Sequence, residues 1–259
     1  MFKKLRRKIK KKIPKSIRDY FFSLREIPKR FENYKIISKA LNNCKTLEIG
    51  GPSTMFYTKL PIYQNLKSLN VVNFSNKTIW EGDIKEGHNC NYYGNKIAYQ
   101  FISEATLLTN VKNNNYDAII SSHCLEHIAN PIKALIRWNE TLKTNGYLLL
   151  VLPNKIGNFD HKRKYTTFEH ILNDYKIDVD ESDTTHINEY IEFFDLEKKP
   201  GNKISHDDFK EITKDNFVNR EMHHHVYNKK LIFQTLKFCK FDILNYLEKK
   251  EDLIILCKK

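Results

Sequence analysis

At 259 residues with 41% hydrophobic side chains, the chain is long enough to bury one sizeable core and need not hold two full domains. Its formal charge of +13 resembles a nucleic-acid signature until it is located: thirteen Lys and Arg precede Phe31 against Asp19 and Glu26, so +11 lies there and the body is nearly neutral. The five scattered cysteines, Cys44, Cys90, Cys124, Cys239 and Cys257, form no C-x-x-C pair, and no apolar run has the length of a span or a signal-peptide core, so a cytoplasmic protein with reduced thiols is expected.

Residues 1–40 read as a basic, helical N-terminal extension to a domain over 41–259. Phe2, Leu5, Ile9 and Ile13 fall near one helical face among Lys and Arg, and Ile17, Tyr20, Phe21 and Leu24 continue the pattern past Pro14. The expectation is a solvated basic tail leading into a helix packed on the domain; peripheral contact with an anionic membrane at the inner face is the alternative. Thr46 to Ile49 reads as a strand, and Gly50-Gly51-Pro52-Ser53 turns the chain where the backbone can approach a ligand. Further strands are expected near Ser68 to Phe74, Gln100 to Ile102, Asp117 to Ser121 and Tyr147 to Leu152. Between the last two, Ile132, Leu135, Ile136, Trp138 and Leu142 recur at helical steps, Pro131 suits the first turn, and Gly146 is expected at a left-handed cap. That crossover makes an α/β fold with a parallel sheet. Ligands then bind beyond the carboxyl ends of the strands, at Ser121, Ser122, His123, Cys124, Pro153 and Asn154.

An insertion over 155–228 interrupts the domain. Thr166-x-x-Glu169 and Ser205-x-x-Asp208 are helix-start signals and Asp183 to His186 opens a later helix, so a lid or substrate platform is expected. The chain closes with a helix over Lys229 to Phe238 and strands over Asp242 to Leu247 and Leu253 to Cys257.

LEIGGPS at 47–53, FISEAT at 101–106, and YDAIISSHCLEHIANPIKAL with NGYLLLVLPN resemble, in order and spacing, the motifs of class I S-adenosylmethionine-dependent methyltransferases. The resemblance covers Lys45 to Asn154 and, more loosely, the C-terminus. It implies a Rossmann-like seven-stranded sheet, mostly parallel with an antiparallel last strand, and helices on both faces. Glu48, Gly50, Gly51 and Pro52 would form the turn beneath the methionine part of S-adenosylmethionine, Glu104 and Ala105 would meet the adenine, and Ser121 and Ser122 would line the same mouth. Two departures stand out: Pro52 and Ser53 replace later glycines of the turn, and Asn73 stands where an acid commonly binds the ribose, with Glu81 a possible substitute from the loop. Phrases of the insertion, from Asp160 through TTFEH and at DTTH, are similar to methyltransferases of bacterial surface-polysaccharide gene clusters.

Methyl transfer to an alcohol needs alignment and a base. Histidine suits that role near neutral pH, and His123, His161 and His127 follow the fourth and fifth strands closely enough to serve. Asn154, Arg163, His186 and His224 are assigned to the acceptor. In an extended run, His223 and His225 would share a face and His224 the other, while Cys124 reads as a buried thiol. Histidines and Asp160, Asp174, Asp178, Asp180 and Asp183 supply metal-ligand types, but the spacing matches neither a zinc finger nor an EF-hand, and no metal is expected. The expected activity is O-methylation of a small-molecule or glycan acceptor, a sugar or a decoration such as phosphoramidate, in capsular or surface polysaccharide biosynthesis. The alternatives are a non-catalytic methyltransferase-like subunit at the membrane and a nucleic-acid methyltransferase. Against the latter, SSHC replaces the Asn/Asp-Pro-Pro-aromatic phrase of base methylation, and the basic residues line no groove, so no nucleic-acid partner is expected.

Overall fold

Alternating apolar residues bury both faces of one twisted sheet. The computed structural model describes residues 29–198 and 204–259. Helix α1 (Tyr34–Ala40) precedes β1 (Lys45–Ile49), β2 (Ser68–Asn73), a small ribbon of β3 (Lys77–Thr78) and β4 (Gly82–Asp83), β5 (Gly87–Tyr93), β6 (Lys96–Ile102), β7 (Tyr116–Ser122), α2 (Pro131–Thr141) and β8 (Leu142–Pro153). Then come α3 (Phe168–Lys176), α4 (Ile187–Phe193), α5 (His206–Lys214), α6 (Asn216–Asn219), α7 (Lys229–Phe238), β9 (Asp242–Glu248) and β10 (Asp252–Lys258). The membrane-contact reading falls on residues 1–28, outside the described residues, among which no helix is long and apolar enough to cross a membrane.

The eight strands run β5-β6-β2-β1-β7-β8-β10-β9. From β6 to β8 all pairings are parallel, while β10 is antiparallel to β8 and to β9. This is the expected Rossmann-like sheet with one extra edge strand, β5, folded back on β6 through a turn where Gly94 takes φ 54°. Strand order reverses between β1, which leads outward to β2, and β7. A crevice therefore opens beyond their carboxyl ends.

The two faces are separate cores. Leu47 and Ile49 of β1, Ile119 of β7 and Leu148, Leu150 and Leu152 of β8 pack under Ile132, Leu135 and Trp138 of α2 and Leu231, Ile232 and Leu236 of α7. The alternate positions Ala118, Ile120, Leu149 and Val151 meet Ile37 and Leu41 with Met55, Phe56 and Leu60. Each such fully buried aliphatic or aromatic side chain contributes roughly 1.5–3 kcal/mol. Tyr190, Phe194, Phe209 and Met222 form a small third core within 155–228, giving that segment packing of its own.

Three local expectations need correcting. Asn145, at φ 64°, takes the left-handed position assigned to Gly146, and Gly146 is instead a close approach where an added Cβ would lie 2.9 Å from the Lys143 carbonyl and 3.2 Å from that of Asp117. Thr167, one residue after Thr166, caps α3 by accepting from the His170 amide. Strand β6 starts at Lys96 rather than Gln100, because its first half pairs with β5. Ser205 caps α5 as expected, accepting from the Asp208 amide.

Candidate active site

The turn after β1 is tied from below. Gly50 sits at φ 76°, and an added Cβ would lie 2.8 Å from Cys124 Sγ; one on Gly51 would lie 2.2 Å from the Glu48 carboxyl carbon. No side chain fits at either position without shifting Cys124 or the Glu48 acid. The Gly51–Pro52 peptide is cis. Glu48, fully buried, accepts from the Ser53 amide at 2.9 Å and pairs with the Tyr63 hydroxyl at 2.7 Å. Burial lifts the Glu48 carboxyl to about 8, against the pull of those two bonds. Asn73 donates to the Gly51 carbonyl at 2.8 Å, and Ser121 Oγ donates to the Ile49 carbonyl at 3.1 Å. Ser122, buried, ends β7 beside Val151. Glu48, Asn73 and Ser121 therefore spend polar atoms on the shape of the turn.

Across the crevice Glu104 keeps a side chain 31% exposed, and Arg220, arriving from the insertion, takes its Oε1 at 2.8 Å. Arg220 also pairs with Glu181 at 2.8 Å and stacks over Phe74, 5.1 Å from the ring centre. Burial, with Glu104 adding to it and Arg220 opposing it, raises the Glu181 carboxyl to about 7. The Ala105 carbonyl is fixed by Trp138 Nε1–H at 2.9 Å, which sets the backbone next to Glu104 from the core side.

On the other side of β7 the chain gathers histidines around an acid. Glu126 is fully buried, and neither carboxylate oxygen has a hydrogen-bond partner. Its Oε1 lies 3.9 Å from His123 Nδ1, 3.9 Å from His127 Nε2 and 4.0 Å from His223 Nε2. Burial raises the Glu126 carboxyl, against the attraction of His223 and His123. His127 Nδ1 faces the Met222 carbonyl at 3.1 Å. A carbonyl only accepts, so Nδ1 carries the proton and Nε2 offers its lone pair toward Glu126. Burial also holds the His127 imidazole well below its ordinary pKa, with His223 adding to the effect, and the ring is neutral at pH 7. His223 Nδ1 meets Asp160 Oδ2 at 2.5 Å, which orients that ring in turn.

His123, at φ 50°, reaches Asp252 of β10 at 2.9 Å through Nε2, and Lys59 holds the same carboxylate at 2.9 Å. Burial pulls the His123 imidazole down, but the Asp252 bond and the charges of Glu126 and Asp252 outweigh it, leaving the pKa raised. Cys124 is a buried-type thiol, pushed by burial to about 12. Trp80, 47% exposed, lies edge-on to His127 with ring centres 5.5 Å apart.

The other predicted site residues are placed elsewhere. His161 faces Asp195 at 3.5 Å, and its neighbour Asp160 reaches the histidine group instead. Arg163, 1% exposed, binds Asp160 at 3.0 Å, the His223 carbonyl at 2.9 Å and Glu189 at 3.2 Å, all internal partners. Asn154 ties the end of β8 to the Lys249 carbonyl at 2.8 Å. His224 is buried near Asp183 and Asn216, and His186 faces His170. Glu126, Asp160, Arg220 and His223 were not assigned to the site from sequence. Glu126 carries a signal, an acid next to Leu125 and two positions before Ile128. Arg220 carries none.

The crevice fits an adenosyl sulfonium. It offers a glycine turn that excludes side chains, and an accessible carboxylate, Glu104, at the β6 end as acceptor for an exocyclic amine. A model of the methyltransferase domain matches residues 45–213. No curated protein matches the chain. Among solved structures, an S-adenosylmethionine-dependent methyltransferase from Mesorhizobium loti aligns at 8% identity over 87% of this chain and 95% of its own, with a TM-score of 0.51. One from Methanosarcina mazei aligns at 16% identity over 89% and 98%, with a TM-score of 0.50. At such identities the likeness is one of fold.

Proposed function

The chain belongs to the methyltransferase-domain family and uses S-adenosylmethionine, and from that premise we propose that it methylates an oxygen of a glycan or of a non-sugar decoration in surface-polysaccharide biosynthesis. The observation that carries the reading is the buried Glu126 carboxylate ringed by His123, His127 and His223 at 3.9–4.0 Å, one turn beyond the strand end that meets the glycine turn.

The cofactor supplies a methyl group on a sulfonium whose departure leaves a neutral thioether. An alcohol must lose its proton as its oxygen takes that methyl. His127 Nε2 is the accepting atom, since Nδ1–H is committed to Met222 and the ring is uncharged at neutral pH. The Glu126 carboxylate, 3.9 Å from that same nitrogen, stabilises by its charge the imidazolium that forms, while the Met222 carbonyl orients the ring. His223, held by Asp160, and His123, held by Asp252, border the acceptor. Glu104 and Ala105 take the adenine, and Gly50 and Gly51 admit the methionine part. The acceptor class rests on the likeness of the 160–186 phrases to polysaccharide-cluster methyltransferases.

The test uses the full chain with methyl-labelled S-adenosylmethionine and a panel of nucleotide-linked sugars and phosphoramidate-bearing glycans. Label is expected as an O-methyl group, and His127→Gln should lower turnover by roughly 10²–10⁴-fold while S-adenosylhomocysteine affinity stays within twofold. Label on nitrogen, or turnover indifferent to His127→Gln, would contradict the proposal.

A further inference from the structure

Behind the histidines of the active site lies a second convergence that methyl transfer does not use. His170 and Asp174 stand one turn apart on α3, His186 immediately precedes α4, and His225 ends the His223–His225 run. His170 Nε2 lies 3.0 Å from His186 Nε2 and 3.3 Å from Asp174 Oδ2, and one ring nitrogen from each of His170, His186 and His225 falls within 4.8 Å of the others. Asp174 Oδ2 is buried and has no hydrogen-bond partner although His170 Nε2 is so near. His170 Nε2 and His186 Nε2 face each other at hydrogen-bond distance, a spacing that two nitrogens sharing one ion would also take.

Two of the three rings have a polar neighbour at a further ring nitrogen. His225 Nε2 lies 3.2 Å from the Ala129 carbonyl and 3.9 Å from Asp174 Oδ2, and its buried Nδ1 has no hydrogen-bond partner. His186 Nδ1 lies 3.7 Å from Glu189 Oε2. Backbone carbonyls and carboxylates in those positions are what orient metal-bound imidazoles. Zinc–nitrogen bonds of 2.0–2.1 Å in a tetrahedral site put ligand atoms about 3.3 Å apart, close to the 3.0 and 3.3 Å observed.

We propose that His170, Asp174, His186 and His225 form a four-coordinate site for a divalent, zinc-type cation. Three neutral imidazoles and one carboxylate suit zinc over magnesium or calcium, which prefer all-oxygen sets. With four protein ligands the site is closed, so its role is structural: it clamps α3, the start of α4 and the histidine run against Ala129. That same run holds the Glu126 carbonyl through the amides of His224 and His225, at 2.8 and 3.3 Å. The cation thereby fixes the backbone under the proposed base, and its presence does not depend on which acceptor is methylated.

The test is metal content and Co²⁺ substitution on the full chain, prepared without a polyhistidine tag. About one zinc per chain is expected as purified. After chelation, about one equivalent of Co²⁺ should bind with the intense visible absorption of a tetrahedral site, and X-ray absorption on the zinc protein should count three imidazoles. His186→Ala and Asp174→Asn should abolish stoichiometric binding, and His127→Ala should keep it. No bound metal in folded wild-type protein overturns the proposal. So does binding that survives His186→Ala but fails in His127→Ala, which would move the ion to Glu126, His127 and His223. Should the ligand variants not fold, the wild-type Co²⁺ spectrum and imidazole count decide alone, an octahedral spectrum or two imidazoles counting against it.

Discussion

The two sides of the crevice are built from different materials. On the proposed cofactor side, the glycine turn rests on Glu48, Tyr63 and Asn73, and Trp138, at 0% exposure, props Ala105, so shape comes from apolar packing and a few polar ties to backbone. On the proposed acceptor side, Asp160, Arg163, Glu126 and His223 are all buried, and shape comes from charge and hydrogen bonds. The first kind of construction loses stability by cavity, whatever the pH. The second loses it by stranding a charge.

The sharpest contrast is between Trp138→Ala and Arg163→Met. Trp138→Ala should cost roughly 3–5 kcal/mol in denaturant unfolding, with a loss that is the same at pH 5 and pH 8, and should also weaken cofactor binding through Ala105. Arg163→Met should cost a comparable, roughly 3–5 kcal/mol at neutral pH, because Asp160 and Glu189 keep their charge without it. Burial works against the Asp160 carboxylate, but His223 and Arg163 hold its pKa below the ordinary value. Its stabilising contribution is thus present above the unfolded pKa and lost as pH falls through the folded one, so the gap between Arg163→Met and wild type should narrow toward acid. An Arg163→Met loss independent of pH would erase the contrast.

Glu48 refines it, being a titratable group inside the apolar half. With a folded pKa of about 8 against an ordinary 4.5, it binds more protons folded than unfolded across that window, and its contribution to stability falls as pH rises through it. Glu48→Gln copies the neutral acid, donating to Tyr63 and accepting from Ser53. The variant should match wild type near pH 5 and exceed it at pH 8 and above in thermal unfolding. A smaller effect is expected for Arg220→Ala, which strands the buried Glu181 and frees Glu104 from the insertion: roughly 1–3 kcal/mol of stability should be lost in denaturant unfolding at pH 8, with S-adenosylhomocysteine affinity undiminished in calorimetry.

The same division governs what the sequence discloses. The cofactor half is legible because its signals are local: the helical spacing of Ile132, Leu135 and Trp138, the strand endings, and the motif order around Glu48 and Glu104. Within it, the difference is a one-residue matter of backbone choice, Asn145 taking the left-handed position beside Gly146, and in the insertion Thr167 caps α3 in place of Thr166. The β5 edge strand is less apparent because its residues alternate poorly, with Asn89, Cys90 and Asn91 in its middle. The acceptor half joins the neighbours His123, Glu126 and His127 to distant residues, Asp160 and His223 standing 34 and 97 positions from Glu126, and no periodicity links them. Residue type draws attention to the histidines, but type alone does not say that His223 turns toward Glu126 and His225 toward Asp174.

The most direct test of the account is calorimetric titration of S-adenosylhomocysteine into the wild-type chain and into Glu104→Ala. Micromolar binding to wild type that is lost in the variant is the predicted result. A folded wild-type protein that fails to bind, or a Glu104→Ala variant that binds undiminished, would contradict the placement of the cofactor in this crevice.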